Sequence, residues 1–152
     1  VRRLSFMADD GRKEKKMIKG LAHVCIMAKD LGLTERFYCS GLGFRKVFDF
    51  IRGGEVIGFY LAVAEGEFVE VFRQDEVQAQ ANCPISHVCF EVDDIDQLIR
   101  RLKSHGYEVT EKKLGGDQSW QSWTSDPAGV RIELHQYTER SSQLTGKNCL
   151  LD

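Results

Sequence analysis

No apolar run in this 152-residue chain approaches the ~20 residues a membrane-spanning helix needs, so no such span is expected. The 21 Lys and Arg nearly balance the 23 Asp and Glu, and the charges are mixed along the chain rather than gathered in a stripe. Nothing in that distribution tracks a phosphate backbone, which excludes nucleic acid as a partner. The glycine pairs are not followed by Lys-Ser or Lys-Thr, so a phosphate-cradling P-loop is also absent. The five cysteines, Cys25, Cys39, Cys83, Cys89 and Cys149, form no CxxC pair. An odd number of thiols in apolar surroundings reads as free cysteines of a reducing compartment, which places the protein in the cytoplasm. The first sixteen residues are basic but lack the apolar stretch of a signal peptide. They are set aside as an N-terminal extension, with Met7 or Met17 as the natural start.

A stretch that occurs twice organises the rest. His23-Val24-Cys25-Ile26 and His87-Val88-Cys89-Phe90 each open a β-rich run, followed by an acidic turn and an amphipathic segment that ends at glycine. Alternation predicts a strand over 18–28 with His23, Cys25 and Met27 on one face. Leu33, Phe37 and Tyr38 predict a helix over 31–40 stopped at Gly41-Leu42-Gly43. Strands are expected near 44–51, 55–64 and 67–73, with turns at Gly53-Gly54 and Glu65-Gly66. After a polar linker over 74–83 the order restarts. A strand over 85–92 leads to a helix carrying Ile95, Leu98, Ile99 and Leu102, then to strands near 107–113, 119–124 and 130–137. The β-α-β-β-β order thus occurs twice, in modules 17–74 and 84–137 of one domain over 17–137, with a polar tail over 138–152. The fold class expected is α+β: two paired βαβββ modules forming a concave mixed β-sheet with helices outside.

Each module carries a glutamate in an apolar strand, Glu70 lying 47 residues beyond His23 and Glu133 lying 46 beyond His87. One such histidine or glutamate alone is most often structural. Two of each, at matching places among apolar neighbours, require a common partner, because burying carboxylates without one is costly. His23, Glu70, His87 and Glu133 are therefore candidate ligands of one divalent metal held between the modules. Two imidazole nitrogens and two carboxylate oxygens suit Ni, Zn, Co, Mn or Fe and leave positions open for water or substrate oxygens. A carboxylate beside such an ion can serve as general base, which marks Glu133 and Glu70 as catalytic candidates. Alternation adds Phe72, Glu91, His135, Tyr137, Cys25 and Cys89 to the cavity, the cysteines as buried filler. Gln74 shares the face of Glu70 and Phe72. Gly115 to Trp120, ahead of Trp123, reads as a flexible cover over the cavity or as a hairpin turn whose tryptophans are core.

Several stretches resemble the glyoxalase I/vicinal oxygen chelate superfamily, over nearly all of 18–137. They are Gly20-Leu21-Ala22-His23-Val24, Phe37-Tyr38-Cys39-Ser40-Gly41-Leu42-Gly43-Phe44, the Glu70 strand, Ile85-Ser86-His87-Val88, and Asp126-Pro127-Ala128-Gly129-Val130-Arg131-Ile132-Glu133-Leu134. The His…Glu…His…Glu order is the metal-ligand order of glyoxalase I. The resemblance implies paired modules, a homodimer and a site in a concave sheet. For glyoxalase I itself it implies isomerisation of the methylglyoxal–glutathione hemithioacetal to S-lactoylglutathione, with Glu133 at the base position and Glu70 as its counterpart. The chain departs from that enzyme at Met27, where an arginine contacts glutathione, and at Gln74, where an asparagine is expected. The function expected is a metal-dependent lyase or isomerase resembling lactoylglutathione lyase. Its substrate would be a small α-oxygenated carbonyl compound or its adduct with glutathione or another thiol, isomerised through an enediolate. The alternatives are another enzyme of this fold (an epimerase, an extradiol dioxygenase or an antibiotic-modifying enzyme) and a non-catalytic small-molecule-binding protein.

Overall fold

The computed structural model describes residues 18, 20–76 and 83–149; expectations for 1–16, 77–82 and 150–152 lie outside the described residues. The first module runs β1 (His23–Ala28), α1 (Leu31–Arg36), β2 (Arg45–Arg52), β3 (Glu55–Ala64) and β4 (Glu67–Arg73). The second runs β5 (Val88–Glu91), α2 (Ile95–Ser104), β6 (Lys113–Leu114), β7 (Trp120–Ser125) and β8 (Arg131–Gln136), and a short helix α3 (Ser142–Thr145) follows in the tail. Each module keeps its own four-stranded sheet, ordered β1-β4-β3-β2 and β5-β8-β7-β6. In both, the first strand pairs parallel with the last and the remaining pairs are antiparallel. This is the α+β repeat expected.

The acidic turns act as helix starts. Asp30 accepts the Leu33 N–H at 2.8 Å and Asp94 accepts the Gln97 N–H at 2.9 Å, each satisfying an otherwise unpaired donor of the first turn. The helix expected over 31–40 divides. α1 ends at Arg36 and the chain continues as a wider π-helical turn over Phe37–Leu42, closed by Gly43 at φ 85°. That turn lies tightly on the second module, since a Cβ on Gly41 would come within 3.0 Å of the Tyr107 ring. The strand expected from residue 18 begins only at His23, and Ile18 and Leu21 before it are exposed. The strand expected over 107–113 shrinks to Lys113–Leu114. Of its ladder a single bridge remains, Val109 to Thr124, and side-chain hydroxyls add to it: Thr124 Oγ1 donates to the Glu108 carbonyl and Ser122 Oγ to the Thr110 carbonyl, both at 2.6 Å.

Each sheet buries one face. Ile26, Val69, Val71, Phe59 and Leu61 from the first join Ile132 and Leu134 from the second in a core closed by Phe37, Tyr38, Ile95, Ile99 and Leu102. Each fully buried aliphatic or aromatic side chain of this kind contributes roughly 1.5–3 kcal/mol. The modules meet at rings and one buried polar contact. Phe37 lies edge-on to Tyr107 at 4.9 Å, Phe44 edge-on to Phe90 at 5.1 Å, and Tyr38 OH donates to Asp126 Oδ2 at 2.9 Å. Asp126 also takes the N–H groups of Ala128 and Val130, at 2.9 and 2.8 Å, which closes the Asp-Pro-Ala-Gly turn. Burial raises the Asp126 carboxyl above the ordinary carboxylate value in spite of these donors. Tyr38→Phe is accordingly expected to leave a buried carboxylate oxygen unpaired and to lower unfolding stability by about 1–3 kcal/mol, read as a shifted urea midpoint at unchanged m-value.

Candidate metal centre

The parallel pairings share one register: Cys25 lies opposite Glu70, and Cys89 opposite Glu133. Each histidine comes two residues before its cysteine, so it sits diagonally from its glutamate on the same face. His23 Nε2 is 3.7 Å from Glu70 Oε2, and His87 Nε2 is 3.1 Å from Glu133 Oε2. The other ring nitrogens meet hydroxyls. His23 Nδ1 is 3.3 Å from Tyr60 OH and His87 Nδ1 is 2.7 Å from Ser86 Oγ. A hydroxyl that accepts the Nδ1–H leaves an Nε2 lone pair aimed at the carboxylate, the arrangement a metal-ligating imidazole needs. One cation about 2.0–2.2 Å from each would fit these nitrogen–oxygen separations and relieve the two facing lone pairs. The donors therefore fit a divalent metal. Among the described residues of one chain, no three of these four side chains bring ligand atoms within 4.8 Å of one another, so each sheet carries one His–Glu pair.

A different trio does gather. Ligand atoms of Cys89, Glu133 and His135 lie within 4.8 Å of one another, joined across β5 and β8 rather than along one strand. Cys25 and Cys89 are exposed, which corrects their reading as buried filler: alternation puts them on the face the helices do not cover. Glu133 and His135 are buried, at 7% and 6% exposure. His135 Nδ1 is 3.2 Å from Glu133 Oε1, and its Nε2 is 3.3 Å from Asp117 Oδ2. The second separation is an ion-pair distance without hydrogen-bond alignment, so Nε2 is a buried nitrogen with no hydrogen bond. Burial works to raise the Asp117 carboxyl, but hydrogen bonds from Gln143 and Ser119, with His135 beside it, hold it below the ordinary value.

The remaining candidates divide. Met27, Phe72 and Gln74 line one cleft of about 400 Å³ with Arg52, Ile57, Arg73 and Asp75. Trp123 stands edge-on to His87 at 5.0 Å, with the Arg131 guanidinium stacked 4.0 Å over its ring. Glu91 is exposed beside Tyr137, whose hydroxyl is raised above its ordinary value by burial and then by Glu91. Trp120, a cavity candidate by sequence, lies on the opposite face from Trp123, packed on the core beneath Lys112. The Gly115–Trp120 stretch is no free cover, because Ser142 N donates to the Asp117 carbonyl at 2.8 Å and Ser119 Oγ donates to Ser141 Oγ at 2.8 Å. Tyr60, Asp117 and Arg131 were not singled out from sequence. Alternation from Glu133 points to Arg131 on the same face, whereas Tyr60 and Asp117 are brought in by strand pairing and loop closure.

Both site-face thiols are held in the protonated form. Burial first, then the Glu70 carboxylate, pushes Cys25 up to about 11; burial, then Glu133 and Asp117, pushes Cys89 up to about 12. In the metal-free chain both, although exposed, are expected to react with DTNB or iodoacetamide at pH 8 more slowly than an ordinary free cysteine, by a factor on the order of 100. Peptide mapping after timed labelling reads this out, and fast labelling at either position would contradict it.

The profile of the Glyoxalase/Bleomycin resistance protein/Dioxygenase superfamily matches residues 20–134. The chain is 26% identical over 127 residues to the uncharacterized protein YaeR of Escherichia coli (strain K12), covering 78% of this chain and 97% of that protein. It is 27% identical over 122 residues to the metapyrocatechase of Geobacillus stearothermophilus, covering 77% of this chain but only 37% of that enzyme. A glyoxalase family protein from Enterococcus faecalis superposes with a TM-score of 0.66 at 27% identity, over 77% of this chain and 97% of its own. Lactoylglutathione lyase from Agrobacterium tumefaciens superposes with a TM-score of 0.60 at 23% identity, over 80% of this chain and 96% of its own, a likeness of fold. With the family profile matched from before β1 into β8, and the βαβββ unit built twice, this chain belongs to the glyoxalase/bleomycin resistance protein/dioxygenase superfamily.

Proposed function

We propose that this protein is a metal-dependent lyase or isomerase of the glyoxalase I type, acting on a small α-oxygenated carbonyl compound or its thiol adduct. The observation that carries the reading is the pair of matched His–Glu contacts, 3.7 Å on one sheet and 3.1 Å on the other, in one shared strand register. A homodimer would join the His23–Glu70 pair of one copy to the His87–Glu133 pair of the second. Apolar groups left bare on or near the site face of the first sheet, Met27 at 45% and Phe48 at 46% exposure, favour such a cover.

Bound by His23, Glu70, His87 and Glu133, a divalent ion (Ni, Zn, Co, Mn or Fe) would supply Lewis acidity to neighbouring substrate oxygens. The chain's own groups do the rest. A carboxylate, Glu70 or Glu133, takes the proton from the substrate carbon and returns it to the adjacent carbon, so the substrate is isomerised through an enediolate. Tyr60 and Ser86 hold the two imidazoles in orientation. Phe50 and Phe72, 4.5 Å apart, form an apolar wall that excludes water beside Glu70. The cleft lined by Met27 and Gln74 would take the thiol arm. Arg52 and Arg73 at its rim suit an anionic thiol such as glutathione.

Metal-stripped protein reloaded with Ni, Co, Mn or Zn is expected to turn over methylglyoxal with glutathione or another thiol. Glu70→Gln and Glu133→Gln are each expected to lower bound metal, measured by elemental analysis, by about tenfold or more. Unchanged metal content in both variants would remove the site. The metapyrocatechase likeness supports a second reading, an extradiol dioxygenase; oxygen uptake with catechols and no dependence on a thiol would put that in place of the lyase.

A further inference from the structure

The two halves of the proposed centre are not equally furnished. Two residues beyond Glu70 the first module has Phe72, which packs on Phe50; two residues beyond Glu133 the second has His135, buried against the carboxylate itself. Behind His135 stands Asp117, and behind Asp117 stands the tail. We infer that Asp117 and His135, held in place by α3, are positioning residues that clamp the orientation of Glu133 in the centre. This rests on the metal reading above.

Glu133 Oε1 is held by His135 Nδ1 at 3.2 Å, which leaves Oε2 turned towards His87 Nε2, 3.1 Å away. The far side of the clamp is built from several independent contacts. Gln143 Nε2, from α3, donates to Asp117 Oδ2 at 2.7 Å, and Ser119 N donates to Oδ1 at 3.1 Å. The backbone is tied down as well, by Ser142 N on the Asp117 carbonyl at 2.8 Å and Thr138 Oγ1 on the Gln118 carbonyl at 2.7 Å.

Gln118 adopts φ 65°, a left-handed conformation that a non-glycine residue keeps only when its surroundings over-determine it. A Cβ on Gly115 would come within 2.7 Å of Asp117 Oδ1 and 2.5 Å of Gln121 Nε2, so glycine is what lets these side chains close. The buried, unbonded His135 Nε2 faces this assembly. Any rotation of the ring that aligns Nε2 with Asp117 also turns Nδ1 against Glu133, so the orientation of the carboxylate is coupled to the loop and the tail. An imidazole bonded to a ligand through one nitrogen and backed by a carboxylate at the other is how proteins orient that ligand from behind.

The test uses the full chain with Co²⁺ as the probe. Asp117→Asn and Gly115→Ala leave every proposed ligand in place. Asp117→Asn is expected to weaken Co²⁺ binding by about 10–100-fold in calorimetry and to shift the visible Co²⁺ spectrum, at a melting temperature within a few degrees of the parent. Gly115→Ala is expected to act in the same direction. Parent affinity and spectrum in both Asp117→Asn and His135→Gln would overturn the clamp. If the parent protein takes up no Co²⁺, the metal reading fails by itself and the clamp is decided on the metal-free chain labelled with ¹⁵N-histidine. There the His135 ring signals, identified by their loss in His135→Gln, must move in both Asp117→Asn and Glu133→Gln. Unmoved signals would overturn it.

Discussion

The site depends on the register of two parallel strand pairs. β1 lies against β4, and β5 against β8, with Cys25 opposite Glu70 and Cys89 opposite Glu133. A slip of one residue in either pair would turn every side chain to the other face, driving the glutamate into the apolar core and taking Val69 and Val71 or Ile132 and Leu134 out of it. The apolar residues that flank each glutamate therefore hold the polar ones in place. Hydrophobic burial on the helix side of the sheet sets the register, and the register sets the His–Glu contact on the other side.

A parallel pair needs a crossover, and in each module the crossover includes a helix, which covers one face of the sheet and leaves the other for chemistry. Docking of the modules then runs through that covered side, where Tyr38 reaches Asp126 and Phe37 meets Tyr107. The faces that carry the His–Glu pairs lie outside that core. This is why His23, Cys25 and Met27 remain accessible while Ile26 and Ala28 between and beyond them are buried.

Duplication supplies two equivalent scaffolds, and the residues around them have diverged. The first half is aromatic, with Phe48, Phe50, Tyr60, Phe68 and Phe72 in a run of ring contacts beside His23. The second half is polar and buried, with His135, Asp117 and the tail behind Glu133. An aromatic wall and a hydrogen-bonded clamp do different work. One would shape an apolar wall beside Glu70, and the other would orient Glu133.

The sequence by itself determined the repeat, the order of elements, the acidic helix start at Asp94 and the turns at glycine, and it picked out His23, Glu70, His87 and Glu133 as candidates. All of these follow from alternation, spacing and local backbone preference, which act within a few residues of the chain. The two tryptophans had to wait for the fold, because an odd spacing puts Trp120 and Trp123 on opposite faces and only the core shows which face is which. The cysteines had to wait as well, since their neighbours are glutamates on the next strand rather than residues on their own. The role of the tail was beyond any local pattern. Gln143 meets Asp117 across 26 residues, and a contact at that separation exists only once the loop and the tail have closed over β8. Pairing along a strand is written in the chain; what stands behind a side chain depends on which distant segment fills that space.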